Sequence, residues 1–253
     1  MDPLFATLAE IEAQSQSAAL ITVIRAKGST PRAPGARMIV MADGRIHGTI
    51  GGGRLEQLAR EAALEAIASG EAAIREFPLG AKAGQCCGGY MELFIEPLNH
   101  GPRLFLFGAG HVGQALCQVL DGTPFIVHLV DPRQEWIEHP DLPSGIQRHH
   151  CEWFDFNAEA SFRDDGFIAV MSHLHDIDQA IIEDVVGRPA RYIGLIGSQT
   201  KWRRFRKRLE AKGLAPETLD RVHCPIGLNT GGKAPKEVAI SIAAELLQTY
   251  YRG

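Results

Sequence analysis

Gly108, Gly110 and Gly113 stand in the spacing G-x-G-x-x-G directly after the apolar run Leu104 to Phe107. The first glycine permits a tight turn, the second lets backbone approach a phosphate, and the third lets a helix close onto a strand. Val112, Ala115, Leu116 and Val119 follow at helical spacing. The start of that helix would offer free N–H groups and the positive end of its dipole to an anion. A second apolar run, Phe125 to Val130, ends in Asp131, an acid placed to bond a ribose hydroxyl. Strand, glycines, helix, strand and terminal acid together predict a Rossmann-type unit. They predict an anion-ready scaffold and name no reaction.

Other residues carry chemistry of their own. Cys86 and Cys87 lie between glycines, and accessible thiols act as nucleophiles, sulfur carriers or soft-metal ligands. The competing reading is a turn with buried thiols behaving as small apolar groups. No C-x-x-C pair supports zinc. Cys117, on the glycine-led helix, reads as core. Gly51, Gly52 and Gly53 open a helix after a strand and form a second candidate anion cradle or a plain turn. Arg32, in a Pro-Arg-Ala-Pro loop, is a phosphate clamp or a solvated cation. His173 follows a third apolar strand, where ligands bind in parallel sheets, and is a candidate ligand or acid/base group. Metal binding by His173 with His175 is a weaker reading. Gly197-Ser198 with Lys201 and Arg203, and Gly231-Gly232-Lys233 before the last helix, are further anion-facing candidates.

These residues need positioning elements. Leu4, Leu8 and Ile11 predict a first amphipathic helix. Strands are expected over Leu20 to Ile24, Met38 to Met41 and Ile46 to Ile50, with a hairpin turn at Asp43-Gly44. A helix carries Leu55, Leu58, Ala62 and Ile67, and Phe77-Pro78 is expected to end that unit. Tyr90 to Pro97 alternates as a strand, with Met91, Leu93 and Ile95 on one side. The segment Asn99 to Pro102 divides an N-terminal domain, 1–99, from a Rossmann-type domain, 100–253. In the second, Pro132 to Arg163 reads as loop-rich. Phe167 to Met171 and Tyr192 to Ile196 read as parallel strands, Lys201 to Lys212 as a basic helix and Pro235 to Tyr250 as a closing helix. The class is α/β: a mixed α/β domain followed by a Rossmann-type domain with a parallel sheet.

The chain has 253 residues and a formal net charge of −4, a balance against nucleic acid as the main partner. No apolar run reaches membrane-spanning length. No basic segment followed by an apolar stretch opens the chain, so a cytoplasmic location is expected. Five cysteines, an odd number, predict free thiols.

The chain resembles the XdhC/CoxI family of molybdoenzyme maturation proteins. The matching pieces are Gly28-Ser-Thr-Pro-Arg32, Gly48-Thr-Ile-Gly-Gly-Gly53, Cys87-Gly-Gly89, Phe107-Gly-Ala-Gly-His-Val-Gly113, Tyr192-Ile-Gly-Leu-Ile-Gly-Ser198 and Cys224-Pro-Ile-Gly-Leu228, in order over nearly the whole chain. The double cysteine is similar to that of members serving xanthine dehydrogenase. The resemblance implies a homodimer that binds molybdenum cofactor (molybdopterin), protects it during sulfuration by a cysteine desulfurase, and inserts it into apo-xanthine dehydrogenase. It implies a maturation chaperone rather than an enzyme. It brings Cys87 forward on the molybdenum side of the cofactor, with Cys86 beside it. A nucleotide stays open as a second ligand because Asp131 is intact. The competing function is an NAD-dependent oxidoreductase built on the glycine fingerprint. A redox sensor using Cys86 and Cys87 ranks lower, because a vicinal disulfide is strained.

Overall fold

The computed structural model describes residues 3–13, 16–79 and 89–252. They form two compact units, Met1–Gly101 and Pro102–Gly253.

The first unit runs α1 (Pro3–Ala13), β1 (Ala18–Lys27), β2 (Arg37–Met41), β3 (Ile46–Gly48), α2 (Gly53–Ser69), β4 (Ala73–Leu79) and β5 (Gly89–Leu98). Its sheet is antiparallel in the order β3-β2-β1-β5-β4. The alternation expected in β5 is present: Met91, Leu93 and Ile95 are buried with Ile21 and Val23 of β1. Leu55, Ala59 and Ala63 of α2 close over them. Each fully buried aliphatic side chain of this kind contributes about 1.5–3 kcal/mol. On the remaining side, Leu4 and Ile11 of α1 pack with Ile39 and Met41. Phe77-Pro78 does not end an element. Both residues lie inside β4, with Pro78 opposite Tyr90. The reason is that β4 is an edge strand, where proline's missing N–H breaks no ladder.

The second unit runs β6 (Arg103–Phe107), α3 (His111–Leu120), β7 (Ile126–Val130), α4 (Gln134–Ile137), β8 (Gln147–His149), α5 (Trp153–Glu159), β9 (Phe167–Val170), α6 (His175–Val185), β10 (Tyr192–Leu195), α7 (Gln199–Ala211), α8 (Pro216–Leu219), β11 (Val222–His223) and α9 (Pro235–Arg252). The sheet is parallel in the order β11-β10-β9-β6-β7-β8. This is the doubly wound Rossmann order, and its direction reverses between β6 and β9. Both faces are covered. Leu104 and Leu106 pack in one core with Leu116 and Ile242, from α3 and α9. Phe105 and Phe107 pack in the other with Ile182 and Phe205, from α6 and α7. Double-sided burial is why these strands are unbroken apolar runs.

The stretch expected to be loop-rich, Pro132 to Arg163, carries α4, β8 and α5. β8 is three polar residues at the sheet edge, so no apolar run announces it. β11 is two residues long. Among the described residues, no helix is long and apolar enough to cross a membrane.

The β6–α3 turn depends on glycine. A Cβ on Gly108, whose φ is 117°, would stand 2.2 Å from the Met171 carbonyl oxygen after β9. A Cβ on Gly113 would stand 2.0 Å from the Gly108 carbonyl oxygen. No side chain fits at either contact. Gly113→Ala is therefore expected to destabilise the protein by about 1–3 kcal/mol through overpacking. Gly187→Ala, where nothing lies within 4 Å of the added atom, should change it by less than about 0.5 kcal/mol. Urea midpoints compare the two, and equal midpoints would mean that the turn relaxes freely.

Candidate functional site

Gly110 differs from its two partners. It is the N-cap of α3 with φ −65° and ψ −177°, and no side chain caps the helix. A Cβ added there would meet nothing within 4 Å. The first turn of α3 holds no acidic residue. An uncapped helix start facing open space is suited to a phosphate or another anion.

Asp131 anchors the turn from below. Only 2% of the residue is exposed. Its Oδ2 accepts the Ala109 N–H at 2.7 Å and an Arg133 Nη2–H at 2.7 Å. Its Oδ1 accepts the Arg133 Nε–H at 2.8 Å and the Arg133 backbone N–H at 3.0 Å. Burial pushes the carboxyl pKa up, but the Arg133 guanidinium and these N–H donors outweigh it and hold the pKa below its ordinary value. A carboxylate offers about four lone-pair sites, and four donors occupy this one. The expectation that Asp131 faces a ribose therefore meets an acid already committed to the protein. Arg133, which the sequence pattern did not single out, sits over Trp136 at 5.0 Å, and the His111 ring meets the edge of Trp136 at 5.0 Å. An arginine two residues after the strand-ending acid was the available signal.

Two other glycine-led helix starts are filled by the chain's own acids, and the one after Gly197 is capped by the Ser198 hydroxyl, which accepts the Lys201 N–H at 3.2 Å. Glu56 Oε1 accepts the Thr49 hydroxyl at 2.5 Å and the N–H groups of Ile50 and Gly52 at 3.0 and 2.9 Å. The Gly51 N–H donates to Thr49 Oγ1 at 3.2 Å. Burial raises the Glu56 pKa, and the Thr49 hydroxyl with these amides lowers it further than burial raises it. The cradle expected at Gly51, Gly52 and Gly53 thus already holds a carboxylate. Glu237 likewise accepts the N–H groups of Lys233 and Ala234, each at 3.0 Å, before α9.

At the ends of β9 and β10, buried Asp178 accepts the Ser172 N–H at 2.8 Å, the Ser172 hydroxyl at 2.7 Å and Lys201 Nζ at 2.6 Å. Lys201 also donates to the Ile196 carbonyl at 2.9 Å. Asp178 was not foreseen, since an acid in the first turn of a helix reads as a surface residue. His173 is exposed beside this group, and Arg32 is exposed in its loop in the first unit. Among the described residues, no three His, Cys, Asp or Glu side chains gather to hold a metal. Cys117 is fully buried and its thiol is pushed up to about 12, as a core residue would be. It and the half-buried Cys151 and Cys224 are free thiols. Cys86 and Cys87 lie outside the described residues.

The sequence pattern described as the XdhC Rossmann domain matches residues 104–246, and that of the XdhC and CoxI family matches residues 11–78. The chain belongs to the XdhC and CoxI family. It is 35% identical over 250 residues to YqeB, an uncharacterized protein of Escherichia coli (strain K12), covering 97% of this chain and 46% of YqeB. It is 30% identical over 161 residues to a protein of Bacillus subtilis (strain 168) named as a probable xanthine dehydrogenase subunit, covering 64% of this chain and 47% of that protein. The chain thus spans about half the length of these two relatives. It is 24% identical over 265 residues to PaoD of Escherichia coli (strain K12), named a molybdenum cofactor insertion chaperone, covering 91% of this chain and 83% of PaoD. A solved Bacillus halodurans structure, described as a xanthine dehydrogenase, matches 99% of this chain and 95% of its own with TM-score 0.54 and 22% identity. That likeness speaks to the fold.

Asp131→Asn is expected to cost about 1.5–3 kcal/mol at pH 7, the range for hydrogen bonds to a charged group. The folded pKa lies below the ordinary value of 3.8, so the carboxylate's contribution is present above about pH 4 and is lost as pH falls through the folded value. Denaturation of both proteins between about pH 7 and about pH 2.5 should show the gap closing only below about pH 4. A gap that stays constant would mean that the charge of Asp131 stabilises nothing.

Proposed function

We propose that this chain is a molybdenum cofactor chaperone for enzymes of the xanthine dehydrogenase family. In this reading the cofactor is cargo: the chain binds it, shields it during sulfuration by a cysteine desulfurase, and delivers it to the apo-enzyme. The observation that carries the reading is the open α3 start at Gly110. Asp178 lies in the first turn of α6, and Glu56 and Glu237 take the N–H groups before α2 and α9, but no acid stands in the first turn of α3. The cargo carries a phosphate, and a phosphate fits there. Family membership and the likeness to PaoD support the same reading. Cys87, with Cys86 beside it, is assigned to the molybdenum side on the strength of soft-ligand chemistry. Arg32 and His173 are exposed candidates for further contacts to the cargo. The chain acts without turnover of its own, as a homodimer in the cytoplasm. The oxidoreductase alternative loses support from Asp131, because its oxygens are already occupied where a nicotinamide dinucleotide would present its ribose.

Three outcomes are expected. The protein loaded with molybdenum cofactor should raise the activity of apo-xanthine dehydrogenase, and more so with a cysteine desulfurase and a sulfur source. It should not turn over NAD or NADH with xanthine, hypoxanthine or common alcohols. Robust NAD-linked oxidation without gain in reconstitution would reject the chaperone reading.

Gly110→Val should lower the melting temperature only modestly, because valine is a poorer N-cap than glycine but the position has extended backbone and open space, yet weaken cofactor retention by roughly tenfold or more. Parental retention in this variant would move the phosphate elsewhere.

Cys87→Ala should lose more bound molybdenum than Cys117→Ala, measured by metal analysis on protein with intact circular dichroism. Equal retention would remove the Cys87 thiol from the reading.

A further inference from the structure

The closing helix α9 is more apolar than its place in the core requires. Ala239, Ile242, Ala243 and Leu246 pack in the core that holds Leu104 and Leu106. A surface helix carries charged and polar residues on the arc that faces away from such a core. α9 instead carries a second apolar line: Ile240, Ala244, Leu247 and Tyr251. Ile240 is 51% exposed, and Tyr251, at 71%, is the most exposed large hydrophobic side chain among the described residues. Ala244 and Leu247 between them are half-buried. Leu228, also exposed, is held beside the line, because its N–H donates to the Ser241 carbonyl at 3.1 Å. A lone exposed hydrophobic needs no explanation, but a contiguous line of them marks a contact surface.

The spacing says what the surface fits. Steps of four, three and four residues keep side chains on the seam between two paired helices. The line covers three turns, about 16 Å of helix. The residues that flank it between its ends, Ser241, Ala243, Gln248 and Tyr250, carry no charge. The ends are charged: Lys236 and Glu237 precede the line, and Arg252 follows it. The far end is held in place, since Arg191 Nη2 donates to the Thr249 carbonyl at 2.7 Å and to the Tyr250 carbonyl at 3.2 Å.

These features suit a second α9 running the opposite way. Parallel pairing would set each charged end residue against its own counterpart and would leave two small alanines facing each other at position 244. Antiparallel pairing about a two-fold axis between Ala244 and Leu247 sets Ala244 opposite Leu247, small against large, and Ile240 opposite Tyr251. It also brings Arg252 of one copy to the Glu237 end of the other, and it opposes the two helix dipoles. A two-fold contact of this kind uses the same patch on both copies. We infer that the exposed line of α9 is the seam of an antiparallel, two-fold contact with α9 of a second copy of this chain. The inference rests on the homodimer of the chaperone reading and assigns the surface that makes it.

Sedimentation of the full-length protein over a range of concentrations tests this, with circular dichroism to confirm folding. Ile240→Lys and Tyr251→Glu, both at exposed positions, should each weaken dimerisation by about tenfold or more. Combined in one chain they should restore it to within about threefold of the parent, because antiparallel pairing puts the two new charges opposite each other across the seam. Within one chain the two positions are about 16 Å apart, too far to pair. Ile74→Lys, at an exposed position of β4, should leave association unchanged. A dimer indifferent to both single variants, a double variant that recovers nothing, or an equal loss in Ile74→Lys overturns the inference and leaves the homodimer standing. A parent protein that stays monomeric overturns the inference and the homodimer together. Delivery of the cofactor is decided separately, by the reconstitution assay.

Discussion

A carboxylate taken out of water must find donors or it destabilises the fold by several kcal/mol, and Asp131 finds four, the Ala109 N–H on the turn it supports and three from Arg133. Because Ala109 lies between Gly108 and Gly110, its N–H bond to Asp131 pins the glycine turn to the end of β7. Because Arg133 wraps the same carboxylate, its guanidinium is brought over Trp136, which in turn meets His111 at the first turn of α3. One ion pair thus sets the turn, the aromatic neighbour of the helix start and the occupancy of the acid. The last has a functional consequence. A Rossmann fold that gives its β7 acid to an internal arginine offers no free acid to a ribose, while its α3 start stays without a side-chain cap.

The three glycine-rich helix starts look alike in sequence and differ in structure for one reason. A helix leaves its first N–H groups without intrahelical partners, and some acceptor must meet them. Glu56 stands four residues after Gly52, and Glu237 four after Lys233, close enough for each carboxylate to fold back onto the amides. After Gly110 the next residues are His111, Val112, Gly113 and Gln114, none of them an acid. The distinction was readable from acid placement, but the glycine spacing alone conceals it.

The same contrast governs how much of the fold was legible. β6, β7, β9 and β10 are buried on both faces, so they declare themselves as apolar runs. The alternation of Met91, Leu93 and Ile95 did the same for β5, whose intervening side chains are only partly buried. Elements at the margins did not. β8 buries little and reads Gln-Arg-His, and β4 accepts Pro78 because its outer N–H side has no partner to lose. The site was legible as glycines and only partly as partners. Arg133 and Asp178 matter through contacts made across turns and between elements, which local spacing does not encode. The cysteine pair, the strongest chemical signal besides the glycines, falls outside the described residues.

Two cations that follow the parallel strands, Arg133 after β7 and Lys201 in α7, are not free to grip an anion. Arg133 is held by Asp131, and Lys201 gives two of its three N–H groups to Asp178 and the Ile196 carbonyl. What faces the space above Gly110 is backbone and helix dipole, whose attraction for an anion is about 0.3–1 kcal/mol when exposed and up to about 2 when partly buried. An arginine fork aimed at the same phosphate would add charge-assisted bonds roughly twice as strong as neutral ones. In the proposed reading the glycine turn would therefore hold the cargo's phosphate weakly and by shape rather than tightly. An enzyme that keeps its cofactor through many turnovers gains nothing from such weakness. A carrier that must surrender its cargo needs it, because every increment of affinity at the donor is a barrier to transfer, and tight retention has to come from contacts that the recipient can displace. The thiol that the proposal puts on the metal side would be such a contact, since thiol ligation answers to exchange with another ligand while a helix dipole does not.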